Sequence, residues 1–193
     1  MYKYAGALGD TIRGITGHVA SELAGIPGIP VISVVSGAHG ILNKSDIEDV
    51  KKGDNTPLLA YIPGVMEYRV GRRLALVERK LRKNKKAKKK SLSEFYGPLT
   101  SMLLSAALGA GTGAYLKGDK KSIINGALIG AGSGLAANIT GSLIGASTRP
   151  RTMEEQKDYY DNTSVLPSYL IPGVGSYNRN KAIQISNILK DES

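Results

Sequence analysis

Residues 97–148, GPLTSMLLSAALGAGTGAYLKGDKKSIINGALIGAGSGLAANITGSLIGAST, decide the fold of this 193-residue chain. Two runs without a charged residue, Gly97 to Leu116 and Ser122 to Thr148, flank the polar connector Lys117-Gly118-Asp119-Lys120-Lys121. In the first run Gly97, Ser101, Ser105, Gly109 and Gly113 recur every fourth residue. In the second, Gly126, Gly130 and Gly134 do the same, and Ala137, Gly141 and Gly145 resume the pattern one residue out of step. Residues four apart share a helix face, so each series is a strip with almost no side chain. Such strips let two backbones approach closely, as they do inside a bilayer, where packing rather than the hydrophobic effect holds helices together. The spacing predicts an all-α protein built on a Gly-rich antiparallel helical hairpin.

A helix of about 20 residues rises about 30 Å, roughly the thickness of the hydrocarbon layer, so each run is long enough to span one. Each interior Gly costs a helix in water about 1 kcal/mol against Ala. With eleven Gly between 97 and 148, the hairpin is a poor pair of soluble helices. A bilayer relaxes that objection, because backbone hydrogen bonds must be made there. Gly, Ser, Thr, Asn125 and Asn138 dilute the Leu and Ile, so a second reading stays open, in which hairpins bury one another in a protein assembly.

Outward from the hairpin, the charge is concentrated. The net charge is +10, yet Arg69, Arg72, Arg73, Arg79, Lys80, Arg82, Lys83, Lys85, Lys86, Lys88, Lys89 and Lys90 stand against Glu78 alone within 69–90. Twelve cations less one acid give that segment +11, which leaves about −1 for the rest. An anionic partner, lipid headgroups or nucleic acid, is expected to meet this segment. Met66, Val70, Leu74, Val77 and Leu81 form one apolar stripe beside these charges, an amphipathic basic helix. On a membrane the stripe would enter the interface and the cations would face phosphates. Lys83 to Lys90 reads as an exposed helix end or linker, with Ser91 to Glu94 capping the next helix and Pro98 near its start. The basic flanks at 79–90 and at Arg149 and Arg151 place both hairpin ends on the cytoplasmic side of a conventionally inserted span.

The chain also echoes itself. Asp54-Asn55-Thr56 and Tyr61-Ile62-Pro63-Gly64-Val65, followed by Tyr68 and Arg72, return as Asp161-Asn162-Thr163 and Leu170-Ile171-Pro172-Gly173-Val174, followed by Tyr177 and Lys181. Pro63-Gly64 and Pro172-Gly173 read as turns, with Pro fixing φ and Gly accepting a positive value. The echo divides the chain into related halves. Residues 1–90 hold a Gly/Pro-broken apolar segment, a turn and the basic helix; residues 91–193 hold the hairpin, a turn and a short C-terminal helix. Within the first half, Leu23 to Leu42 is apolar but broken by Pro27 and Pro30, and reads as a kinked helical element, with an extended run at Ile29 to Val35 as the alternative.

Little in the chain suggests a reaction. There is no Cys, hence no disulfide or thiolate metal site, and His18 and His39 have no acid at ligand spacing. Asp46, Glu48 and Asp49 read as a helix start. Gly113 and Gly118 have phosphate-loop spacing, but Asp119 stands where the Lys must be. The reading is of a non-enzyme with no cofactor, no metal and no small-molecule substrate. The N-terminal MYKYAGALGDTIRG has no uninterrupted apolar run and does not read as a secretory signal.

The Gly-every-fourth strips at 97–113 and 126–145, the basic segment at 79–90 and the absence of a catalytic set resemble the small glycine-zipper proteins of virus particles, especially the internal or ejection proteins of tailed phages. The likeness covers about half the chain and is one of style. It implies a protein that leaves the particle with the genome and helps form a conduit through a cell envelope. Its partners would be copies of itself, a membrane and other virion proteins, with nucleic acid reached through 69–90. The alternatives are a structural assembly protein packing its hairpins against neighbours, or a basic genome-contacting protein.

Overall fold

The computed structural model describes residues 29–43, 46–55, 59, 62, 64–81, 85–147 and 165–191. Among them the chain is all-helical: α1 (Ile29–Leu42), α2 (Ile47–Asp54), α3 (Val65–Leu81), α4 (Lys85–Leu116), α5 (Lys120–Ser147), α6 (Leu166–Leu170) and α7 (Val174–Asp191). Helices α4 and α5 form the long antiparallel hairpin. Their lower halves stand in a bundle with α1, α3, α6 and α7, and their upper halves rise out of it as an arm.

The apolar run of α1 is helical, Pro30 standing in its first turn, where a missing N–H is tolerated. This overturns the extended alternative for Ile29 to Val35, while Leu23 to Gly28 lie outside the described residues. Asp46 caps α2, accepting from the Asp49 amide at 2.9 Å while the Asp49 carboxylate accepts from the Asp46 amide, so the acidic cluster is a helix start. The Arg72 guanidinium meets Asp49 at 3.2 Å and lies 5.5 Å from the Tyr68 ring, which also stacks on His39.

Helix α4 begins at Lys85, so of the two readings of this segment the helix end holds for Lys85 to Lys90 and the linker does not, and the 90/91 boundary falls inside the helix. Ser91, Ser93 and Glu94, expected as a cap, are fully buried. Pro98 lies inside the helix, where the ring removes one backbone bond. Side chains supply bonds around it: Thr100 Oγ1 donates to the Tyr96 and Gly97 carbonyls, and Ser101 Oγ and Asn138 Nδ2 donate to the Pro98 carbonyl at 3.1 and 2.7 Å.

The core lies between α3 and α7. Val70 and Leu74 pack with Ala182 and Ile183, joined by Ile41 and Phe95, and Val77 packs on Ile185. The middle of the stripe expected to enter a membrane interface, Val70, Leu74 and Val77, is therefore spent inside the fold, and Arg73 beside it is buried as well. Helix α7 is largely buried from Gly175 to Ser186 although polar. Ser176, Asn178, Asn180, Lys181, Gln184 and Ser186 are buried, with Asn178 donating to Ser168 Oγ at 3.0 Å and Gln184 to the Ala146 carbonyl. Desolvation lowers the Arg179 pKa, with the Glu67 charge acting in the opposite sense.

The sequence echo has a three-dimensional counterpart. Gly64 and Gly173 take φ of 84° and 90°, the left-handed region that glycine enters without strain. Each turn then starts a helix with the same bonds: the Val65 amide to Ile62 and the Val174 amide to Ile171, at 3.1 and 3.2 Å, then the Tyr68 amide to Gly64 and the Tyr177 amide to Gly173, both at 2.9 Å. Gly40 of α1 abuts the Tyr68 carbonyl as Gly145 of α5 abuts that of Tyr177. Lys181 lies 5.8 Å from the Tyr177 ring, as Arg72 lies near Tyr68. The repeated unit is thus a small-faced helix crossed by a turn-initiated helix, α1 with α3 and the end of α5 with α7. Helix α4 belongs to neither unit and braces both.

Asn138 ties the second unit to the hairpin, its Nδ2 on the Pro98 carbonyl and its Oδ1 on the Gly173 amide at 2.8 Å. Asn138→Ala strands the buried Gly173 amide and removes one of the two side-chain donors to the Pro98 carbonyl, and is expected to lower unfolding stability by about 1–3 kcal/mol. Chemical denaturation followed by circular dichroism measures it; a loss within error of zero would show that this bridge does not hold the arm to the bundle.

Candidate functional site

The arm runs from the level of Pro98 and Asn138 to the connector at 117–119. Its inner face is made of the small strips. A Cβ on Gly109 would collide with the Gly126 carbonyl, one on Gly126 with that of Gly109, one on Gly130 with that of Ser105, and one on Gly113 with that of Ser122. Gly134 faces Met102 and Ser105. The two backbones touch along the whole arm.

Below the arm the strips change partner. Gly97 lies against the Ser168 carbonyl and Gly175, and Ser101 is buried with its hydroxyl on Pro98. Ala137 and Gly141 face Gly173, and Gly145 faces Tyr177. The break of register between Gly134 and Ala137 is the point where α5 turns from α4 to α7.

With small residues inside, the large ones face outward. Leu103, Leu104, Leu108, Leu116, Ile124, Leu128 and Ile129 are exposed, Leu128 and Ile129 to 66% and 73%. Burying a Leu or Ile is worth about 1.5–3 kcal/mol, so this surface in water forgoes on the order of 10 kcal/mol. Both helices are long and apolar enough to cross a membrane, and little of their apolar windows is buried, 6% for α4 and 22% for α5. The core helix of a soluble protein has the opposite distribution.

The tip is closed by its own bonds. The Lys117 and Gly118 amides return to the Gly113 carbonyl at 3.2 and 3.4 Å, with Gly118 at φ 70°. Asp119 caps α5, accepting from the Ser122 amide at 2.7 Å and the Ser122 hydroxyl at 2.9 Å, bonds that lower its pKa. Lys117, Lys120 and Lys121 are exposed around it.

The expected anion-binding set is dispersed. Arg69 is half-buried, Arg72 is engaged by Asp49 and Tyr68, and Arg73 and Lys90 are buried. Arg79, Lys80 and Lys89 are exposed at the end of the bundle away from the arm, where Lys85, Lys86 and Lys88 start α4. Arg82, Lys83 and Pro63 lie outside the described residues, as does His18; Pro172 and Gly173 form the second turn. Among the described residues no three His, Cys, Asp or Glu side chains gather as metal ligands would. Sequence reasoning counted Asn138 only as a diluting polar residue; a lone Asn at the step in the small-residue pattern was the available signal.

Comparison with known proteins finds no matching family, no matching curated protein and no matching solved structure.

Gly109→Ala and Gly126→Ala force the arm open, and each is expected to cost about 1–3 kcal/mol. Gly111 and Gly132 have nothing within 4 Å of a built Cβ. Gly111→Ala and Gly132→Ala are therefore expected to stabilise by about 0.5–1 kcal/mol through helix propensity alone. Thermal melts of the four variants separate the two classes; equal effects would show that the arm is not closed on this face.

Proposed function

We propose that this chain is a non-enzymatic, oligomerising, membrane-active protein whose arm enters a lipid bilayer. The observation that carries the reading is the inverted arm, with glycines between the helices and Leu and Ile outside. Lipid tails cover such a surface at no cost in side-chain burial, and close backbone packing is what holds helices together there. From Pro98 to Lys117 is 19 residues, a rise of about 28 Å, close to the hydrocarbon thickness. The self-bonded tip leaves few backbone groups to desolvate.

The place of such a protein, a virion component that helps build a conduit for genome delivery, follows the style resemblance of the zipper and basic segment. The location of the cations favours one anionic partner over the other. From Pro98 back to Lys85 is 13 residues, about 20 Å of helix on the side away from the arm. With the arm inserted, those charges stand beyond a headgroup layer of about 5–8 Å. We read them as a contact for nucleic-acid backbone rather than for lipid, bound through phosphates and sensitive to salt.

The alternative, a particle subunit whose arm is covered by its neighbours, gives the opposite result on vesicles. Purified protein is expected to float with vesicles and release a trapped dye, whereas Gly109→Leu/Gly126→Leu is expected to lose most of the release. Protein that neither floats nor leaks vesicles removes the membrane reading and leaves the assembly one.

A further inference from the structure

The repeated Ile-Pro-Gly turns have no part in the arm, yet both present large apolar side chains to the outside. Ile62 and Ile171, which are equivalent residues, are exposed to 51% and 52%. Leu59 beside the first, and Leu166 and Leu170 beside the second, are exposed as well. Turn tips in water are ordinarily Asn, Asp, Ser or Gly. Here the same apolar tip occurs twice, each held rigidly by a left-handed glycine set against a crossing helix: Gly64 on Ser36, Gly173 on Ala137.

Their height is fixed. The second turn is bonded through Asn138 to the Pro98 carbonyl, and Gly175 abuts the Pro98 ring. The first sits on α1 at Ser36, beside the residues by which α1 meets α4: Gly37 lies over the Phe95 ring, and the Val34 carbonyl accepts from the Tyr96 hydroxyl at 3.4 Å. Both turns therefore stand near the Phe95–Pro98 level, where the arm leaves the bundle.

Tyrosines mark the two ends of the arm. Tyr96 and Tyr169 lie at its base, and Tyr115, 90% exposed, lies at its tip. Tyr96 and Tyr115 are 19 residues apart, about 28 Å along α4. Phenols at that separation match the two interfaces of a bilayer, where amphipathic rings collect.

We propose that the two Ile-Pro-Gly turns are paired membrane-interface anchors, which seat the base of the arm in the headgroup layer and fix how far it enters. This rests on the arm being the inserted element. The turns stand at the level where the apolar surface of the arm begins, so a bilayer that takes in the arm meets them at its interface. Bound at two points around the base, the bundle stays outside the hydrocarbon while the arm crosses it.

The chain has no cysteine, so single labels report depth without background. An environment-sensitive fluorophore is attached to Ile62→Cys, Ile171→Cys, Leu128→Cys and Lys89→Cys, with phosphatidylcholine vesicles carrying quenchers at shallow or deep acyl positions. The expected pattern is shallow quenching at 62 and 171, deep quenching at 128 and none at 89. Labels at 62 and 171 that stay in water, or are quenched as deeply as 128, overturn the anchors while leaving the inserted arm intact. A label at 128 that stays in water removes the inserted arm itself, and the anchors with it. Ile62→Asp/Ile171→Asp, at half-exposed positions, is expected to keep its helicity and lose roughly tenfold or more in vesicle partitioning; unchanged partitioning with unchanged helicity also overturns the proposal.

Discussion

Backbone lying directly on backbone is the contact on which the rest of this protein depends. At Gly109 and Gly126, at Gly40 and Tyr68, and at Gly141 and Gly173, a carbonyl of one helix occupies the space where the other would carry a Cβ. Helices this close leave no volume between them for Leu or Ile, so those side chains are displaced to the outer surface. The exposed arm and the exposed turns follow from the same constraint. Cα hydrogens and carbonyls meet along these crossings, weak contacts that become numerous only because side chains are absent.

The interior that results is small and polar rather than large and apolar. Ser101, Asn138 and Ser168 are buried, each with its side chain bonded, where a globular core would hold Leu. A polar group is tolerated there when it is bonded, and Asn138 shows why one residue at a crossing matters: it meets α4 through a carbonyl and the second turn through an amide. The apolar core proper is centred on the contact of α3 with α7, the equivalent helices of the two units, with Ile41 of α1 and Phe95 of α4 joined to it.

Periodicity made the hairpin legible, because residues four apart on a helix must share a face whatever surrounds them. The Pro-Gly turns were legible for a similar reason, since few residues other than glycine accept a positive φ at Gly64 and Gly173. Other features depend on neighbours and were not. Arg72 and Arg73 look like members of a solvated basic face, yet Arg72 is drawn to Asp49 from α2, and Arg73 is covered when α3 packs into the bundle. The Met66-to-Leu81 stripe is amphipathic in either setting, so its pattern could not say whether lipid or α7 would cover it. Around Pro98 the helix also takes a side-chain bond from a neighbour, Asn138 of α5, which no reading of α4 alone supplies.

By itself the sequence determined the helices of the hairpin, the turn glycines and the small-residue strips, all of which follow from local geometry and side-chain size. Only the tertiary structure decided which strip meets which. The single step between Gly134 and Ala137 rotates the small face of α5 away from α4 and toward α7, and a change of partner cannot be read from one helix alone. The tertiary structure also decided which cations stay exposed, with Arg79, Lys80 and Lys89 at the end of the bundle away from the arm and Lys117, Lys120 and Lys121 at its tip. The first group lies there because α3 runs from its turn, near the level where the arm leaves the bundle, to the opposite end, where α4 begins.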